Sequence, residues 1–215
     1  MIILFDLDGT LIDSTEAILE SFHNSFNLHN SPHADDEAIK ALIGHPLDVM
    51  YRALGVDEAR VRDFVDTYKE HYRKISTQKT VLLENAKEAV EEAYKFATLG
   101  IVTTKTGKYS RVLMEHFGLM DRFDVLIGRE DVTEPKPNAE PILKALQQLD
   151  TEGKNIWMIG DTTMDLIAAK RAAINAIGVL SGYDTQEQLH QECDIVLRDS
   201  LAAVSYLRRS KTSHS

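Results

Sequence analysis

The sequence predicts an α/β protein, a parallel sheet wrapped by helices, with a small helical domain inserted after the first strand. Three observations predict it. Short apolar runs recur at residues 2–6, 100–104, 123–127, 156–160, 174–180 and 194–197, most of them apolar throughout, as strands buried on both faces are. Helical patterns at 85–97, 108–117, 137–149, 163–172 and 199–208 alternate with those runs, the signature of a parallel sheet with its crevice at the carboxyl ends of the strands. Between about Asp13 and Thr80 the alternation stops, and four helical patterns follow one another at 14–28, 35–43, 47–54 and 58–76. The domains expected are therefore a core of 1–13 and 81–208, a four-helix cap of 14–80, and a frayed tail, 209–215, in the segment "RRSKTSHS".

The first run, "ILFDLDGTLIDS", carries Asp6 and Asp8 at a strand end. Two carboxylates about 4 Å apart repel by roughly 4 kcal/mol at an effective dielectric near 20, so the pair calls for a cation between them. The first inserted helix has the spacing of a capping box, Asp13 with Glu16, and an apolar stripe of Ile18, Phe22 and Phe26. Phe22, Phe26, Tyr68 and Tyr72 read as the core of the inserted domain, entered and left by hinges near 11–14 and 77–83. Its loop "IGHPLD" offers Gly44 for a tight approach and His45 as a candidate substrate contact, the insertion acting as a lid over the crevice.

The second sheet strand ends "GIVTTK", presenting Thr103, Thr104 and Lys105. In "EPKPNAEP" Lys136 stands between two prolines, and Pro137 suits the first turn of the next helix, which would fix the ammonium near a helix N-terminus. The fourth strand ends "MIGDTTMD", with Asp161 at the tip and Asp165 one helical turn on.

Bulk properties limit what this chain can bind. With 34 acidic and 24 basic residues its formal net charge is −10, which disfavours nucleic acid and anionic membranes as partners, so an anionic substrate needs local positive groups. The one cysteine, Cys193, excludes an internal disulfide, and a first segment without a basic or long apolar stretch points to the cytoplasm. The histidines suggest no metal cluster: His29 and His33 are four apart, but Pro32 interrupts a helical face between them.

Carboxylates from neighbouring strands, Asp6, Asp8 and Asp161, suit Mg²⁺, which takes oxygen ligands and leaves positions for water or phosphate. With the charge neutralised, one carboxylate can attack phosphorus and a second can protonate the leaving oxygen, while Thr103 and Lys136 supply donors to the nonbridging oxygens. "DLDGT", "VTTK", "KP" and "GDTTMD", in that order and at those strand ends, resemble the four motifs of the haloacid dehalogenase superfamily, a Rossmann-like fold. The helical insertion is similar to the cap of its phosphoglycolate-phosphatase-like members, and "GVLSGYDTQEQL" with "CDIVLRDSLAAV" resembles their ending.

The resemblance implies a Mg²⁺-dependent phosphatase acting on a small phosphorylated metabolite. In it Asp6 is the nucleophile and Asp8 the general acid and base, the Asp8 main-chain carbonyl joining Asp6 and Asp161 on the metal. Thr103 and Lys136 hold the phosphoryl oxygens, and Asp165 meets the metal or steers the lysine. Lys105 and Thr104 are further substrate contacts, Thr104 standing where such phosphatases commonly have asparagine. A pyrophosphatase or a sugar-phosphate mutase would use the same core. A metabolite-binding module without turnover would be expected to have lost one of Asp6, Asp8, Lys136 or Asp161, and all four are present.

Overall fold

The computed structural model describes residues 1–212. In chain order the elements are β1 (Ile2–Phe5), β2 (Ile12–Asp13), α1 (Thr15–Leu28), α2 (Asp36–Lys40), α3 (Leu47–Ala53), α4 (Glu58–Lys79), β3 (Val81–Leu82), α5 (Ala86–Tyr94), β4 (Thr98–Val102), α6 (Gly107–His116), β5 (Val125–Ile127), α7 (Glu140–Leu146), β6 (Ile156–Gly160), α8 (Thr163–Arg171), β7 (Asn175–Val179), α9 (Gln186–His190), β8 (Val196–Leu197) and α10 (Ser200–Thr212). They fall into two units, one of Met1–Ile12 together with the chain from Leu82 onward, the other of Asp13–Val81.

The first unit is built on a six-stranded parallel sheet of order β5-β4-β1-β6-β7-β8. Because side chains alternate across a strand, β1 feeds both faces. Ile3 and Phe5 join Val90, Leu113, Val204 and Leu207 in one core layer, and Ile2 and Leu4 join Val102, Ile142, Ala168 and Ala169 in the other. All four β1 side chains are fully buried, which explains a run with no polar alternation. The chain passes from β1 out to β4 and β5 on one side and then crosses to β6, β7 and β8 on the other. β1 thus lies at the reversal of strand order, where open α/β sheets bind ligands.

The second unit holds α1 to α4. Its centre is aromatic: the Phe22 ring lies 4.6 Å from that of Tyr51 and 5.1 Å from Tyr68, and Phe26 lies 5.5 Å from Phe64. The buried Tyr51 hydroxyl is 2.6 Å from Ser25 Oγ, so this polar tip has a partner. The short strands β2 and β3 pair with each other.

Three local expectations are corrected. The Asp13–Glu16 capping box does not form: Ser14 is the residue before α1, Asp13 Oδ1 accepts from the Thr15 N–H at 2.9 Å, and Glu16 instead reaches Lys79 of α4 at 2.5 Å. Pro137 is not in a helix. The helix starts at Glu140 with Pro141 in its first turn, because Asn138 Oδ1 takes the Glu140 N–H at 2.9 Å and the Glu140 carboxylate takes the N–H groups of Thr133 and Glu134. The segment before it is therefore a stapled loop. The tail expected over 209–215 is helical as far as Thr212, and residues 213–215 lie outside the described residues. The short helix α9 was not foreseen. No helix among the described residues is long and apolar enough to cross a membrane.

Candidate active site

Parallel strands in register bring their carboxyl ends to one edge. Phe5 pairs with Ile101 of β4 and with Ile159 of β6, so the residues after β1, β4 and β6 emerge side by side. These are Asp6, Thr103 and Asp161, and all three are buried. The Asp6 N–H donates to Ile159 O at 3.0 Å and the Thr103 N–H to Ile127 O at 3.0 Å, which continues the ladder one step past the strands and fixes both residues.

A three-carboxylate cluster results. One oxygen each from Asp6, Asp161 and Asp165 lies within 4.8 Å of the others, and all three residues are buried. Lys136 enters from the β5–α7 loop and is only 3% exposed, as one would not find for an unpaired lysine. Its Nζ donates to Val102 O at 2.9 Å and to Asp165 Oδ1 at 2.5 Å, and lies 2.8 Å from Asp6 Oδ1. The last contact is an ion pair without hydrogen-bond alignment, so Asp6 Oδ1 is a buried carboxylate oxygen with no well-directed donor.

The remaining oxygens are held by groups that the motifs contain but spacing arguments did not use. Thr10 Oγ1 donates to Asp161 Oδ1 at 2.8 Å and the Tyr183 N–H to Asp161 Oδ2 at 3.0 Å. Thr162 donates twice to Asp165 Oδ2, from its N–H at 3.1 Å and its hydroxyl at 2.8 Å. Asp184 Oδ2 takes the Thr163 N–H at 2.6 Å, capping the start of α8. Two glycines wall in Asp161: a Cβ at Gly9, where φ is +81°, would come within 2.2 Å of Asp161 Oδ2, and one at Gly182 within 1.9 Å. The signals were the Gly-Thr of "DLDGT" and the Gly-Tyr-Asp of "SGYD"; what they serve depends on chain returning from β7, which no local pattern reveals.

Not every candidate joins the cluster. Asp8 lies outside the three-carboxylate group, and its charge is the smallest of the named influences that raise Asp6. Its carboxylate, 12% exposed, pairs with Lys105 Nζ at 3.0 Å, and the close like-charge neighbours of Asp6 are Asp161 and Asp165. Thr103 Oγ1 accepts the Lys105 N–H at 3.2 Å, so the turn after β4 aims that lysine. Thr104 is half-buried in the same turn. His45, half-buried, belongs to the second unit, where its N–H donates to Leu42 O at 3.0 Å. Lys136 is fixed by side-chain and carbonyl oxygens, not by a helix N-terminus as Pro137 had suggested.

Burial is the main force on the ionisation of this cluster. It pushes the Asp6 carboxyl up to about 7, opposed by the Lys136 charge and reinforced by Asp165. Asp161 is pushed well above the usual carboxylate range, first by burial and then by the charges of Asp6 and Asp165. Burial alone would depress Lys136, but the charges of Asp165 and Asp6 outweigh it and hold the ammonium protonated.

Three carboxylates against one ammonium leave two formal negative charges, the charge of one divalent ion. An all-oxygen donor set, a clustered geometry and an oxygen without a directed donor on Asp6 fit a hard cation such as Mg²⁺.

A prediction follows from the raised carboxyls. The Asp6 proton stays on in the metal-free folded protein after the unfolded chain has released it, so its contribution to stability is full below about pH 4 and is lost as pH rises through about 7. In a chelator, urea unfolding of the wild type should therefore lose more stability between pH 5 and 8 than Asp6→Asn, by on the order of 2–4 kcal/mol. Equal pH slopes would show that Asp6 carries no strained charge.

Known proteins resemble the chain along nearly its full length. The family of haloacid dehalogenase-like hydrolases matches residues 3–179. The pyrophosphatase PpaX of Halalkalibacterium halodurans is 33% identical over 202 residues, 91% of each chain. The phosphoglycolate phosphatase of Colwellia psychrerythraea is 29% identical over 201 residues, 88% of each chain. Among solved structures, a haloacid dehalogenase-like family hydrolase from Streptococcus pneumoniae superimposes with a TM-score of 0.86 at 26% identity, covering 96% of this chain and 97% of the other.

Proposed function

The chain belongs to the haloacid dehalogenase-like hydrolases, and from that premise we propose that it is a Mg²⁺-dependent phosphatase of small phosphomonoesters such as phosphoglycolate. The observation that carries this reading is Asp6: a buried carboxylate at the tip of the central strand, with one oxygen lacking a directed donor, an ammonium 2.8 Å away and two further carboxylates beside it.

Asp6, Asp161 and the Asp8 main-chain carbonyl are the proposed metal ligands, with Asp165 completing the acidic set. Bound there, Mg²⁺ would offset the cluster's excess negative charge and draw electron density from the phosphoryl oxygens. An Asp6 oxygen attacks phosphorus, the bond from phosphorus to the leaving oxygen breaks, and Asp8 gives that oxygen its proton. Asp8 then takes a proton from water as the water oxygen attacks the aspartyl-phosphate, freeing Asp6 and inorganic phosphate. Asp8 suits this work because it stands apart from the buried cluster and is the acid with access to solvent, at 12% exposed. Lys136 and the Thr103 hydroxyl hold the nonbridging oxygens through both steps. Lys105 and Thr104 contact the rest of the substrate, and His45 takes part in choosing it.

Pyrophosphate is the second reading, favoured by the 33% identity to a pyrophosphatase. Phosphate release with Mg²⁺ over a panel of small phosphomonoesters and pyrophosphate tests both. Turnover of a small monoester above pyrophosphate is the expected result, with His45→Ala changing the order of preferred substrates while an unspecific aryl phosphate is hydrolysed as before. Preference for pyrophosphate would select the second reading, and silence on the whole panel would remove both.

A further inference from the structure

The second unit carries a pair of histidines that sequence spacing did not bring together. His23, half-buried on α1, and His33, exposed in the loop between α1 and α2, face each other with Nδ1 to Nδ1 at 3.1 Å. Each ring is tied at its far nitrogen. His23 Nε2 is 2.6 Å from Asp36 Oδ1 and His33 Nε2 is 2.7 Å from Asn27 Oδ1. A carboxylate and an amide oxygen only accept, so both Nε2 atoms carry hydrogen and two neutral rings would turn bare Nδ1 lone pairs on each other. The ring centroids are 5.2 Å apart and the rings 18° from parallel, so the lone pairs meet almost head-on. That arrangement is repulsive unless a positive charge joins them.

We propose that His23 and His33 form a binding site for a divalent transition ion of the zinc class, separate from the oxygen cluster of the first unit. Neutral imidazole nitrogens select zinc, nickel or copper over magnesium, so the two sites would take different ions. Nitrogens bound at 2.0–2.1 Å to a tetrahedral zinc ion lie about 3.3–3.4 Å apart, close to the 3.1 Å seen here. Binding requires the pair to open by a few tenths of an ångström and the rings to tilt toward a common point. His33, exposed on a loop, has the room to do so. The far-side acceptors complete the pattern: a ligating histidine usually donates its other N–H to a carboxylate or carbonyl, which fixes the tautomer and leaves the inner nitrogen available. Asp36 and Asn27 stand in those two places, and Asp36 adds a negative charge next to the ion. Water fills the remaining positions.

Calorimetric titration of the whole protein with Zn²⁺, in a large excess of Mg²⁺, tests the site. One equivalent is expected to bind in the wild type and in Asp161→Asn. That component should weaken at least tenfold in His33→Gln and in His23→Gln, each checked by circular dichroism to be folded, and roughly tenfold in Asp36→Asn. His33→Gln changes an exposed loop residue and keeps the test available should His23→Gln disturb α1. A wild type without this component, as when only a proton joins the rings, overturns the proposal. So does a component that persists unchanged in both histidine variants.

Discussion

Asp6→Asn is expected to lower phosphate release by roughly 10⁴-fold or more while leaving the fold intact. The amide is nearly the same size as the carboxylate and the site can keep its packing, but an amide oxygen is a poor nucleophile toward phosphorus. Acid-quenched wild type taken during turnover should carry a phosphoryl group on the peptide containing Asp6, and the variant should not. The variant should also be the more stable protein in a chelator above neutral pH, since it removes one buried charge from a cluster that burial already disfavours. Inactivity together with greater stability separates loss of the nucleophile from loss of structure. Asp8→Asn offers the contrast: its loss should be heavier on esters with poor leaving groups than on an activated aryl phosphate, which hardly needs a proton. Wild-type turnover in purified Asp6→Asn would place the nucleophile elsewhere.

The sheet was legible in the sequence because strands buried on both faces must be apolar throughout, and six such runs stand out at 43% hydrophobic composition. The strand tips were legible for the same reason: an acid directly after an apolar run, as at Asp6 and Asp161, falls at the edge where parallel strands end. What could not be read are choices made by side chains across elements. Asp8 pairs with Lys105 of a neighbouring strand end, and no spacing within "DLD" encodes that contact. Lys136 reads as a helix-terminal residue because Pro137 fits a first turn, yet the Glu140 carboxylate accepts the loop's N–H groups and Asn138 Oδ1 accepts the Glu140 N–H, which delays the helix. His23 and His33 stand ten residues apart, joined by a turn whose path no period describes.

Lys136→Met should cost about 3–5 kcal/mol of stability in the absence of metal, the cost of leaving buried carboxylates without their counter-charge. The lysine is 3% exposed and holds three oxygens at once: Val102 O at 2.9 Å, Asp165 Oδ1 at 2.5 Å and Asp6 Oδ1 at 2.8 Å. A methionine fills much of the volume but donates nothing, so the loss measured is electrostatic and not that of a cavity. Urea unfolding in a chelator reads this directly, and the deficit should shrink at pH 5, where the raised carboxyl of Asp6 takes up a proton and no longer needs a partner. Turnover should fall as well, by 10²-fold or more, because the same ammonium is assigned to the phosphoryl oxygens as charge moves between them. Lys136→Arg should not restore either property: the guanidinium is wider and planar, and the slot between Val102 O and two carboxylates is shaped for a compact ammonium. A methionine variant as stable as wild type at pH 8 without metal would mean that the cluster is not held by this charge, and the account of why Asp6 can be buried at the strand tip would fail with it.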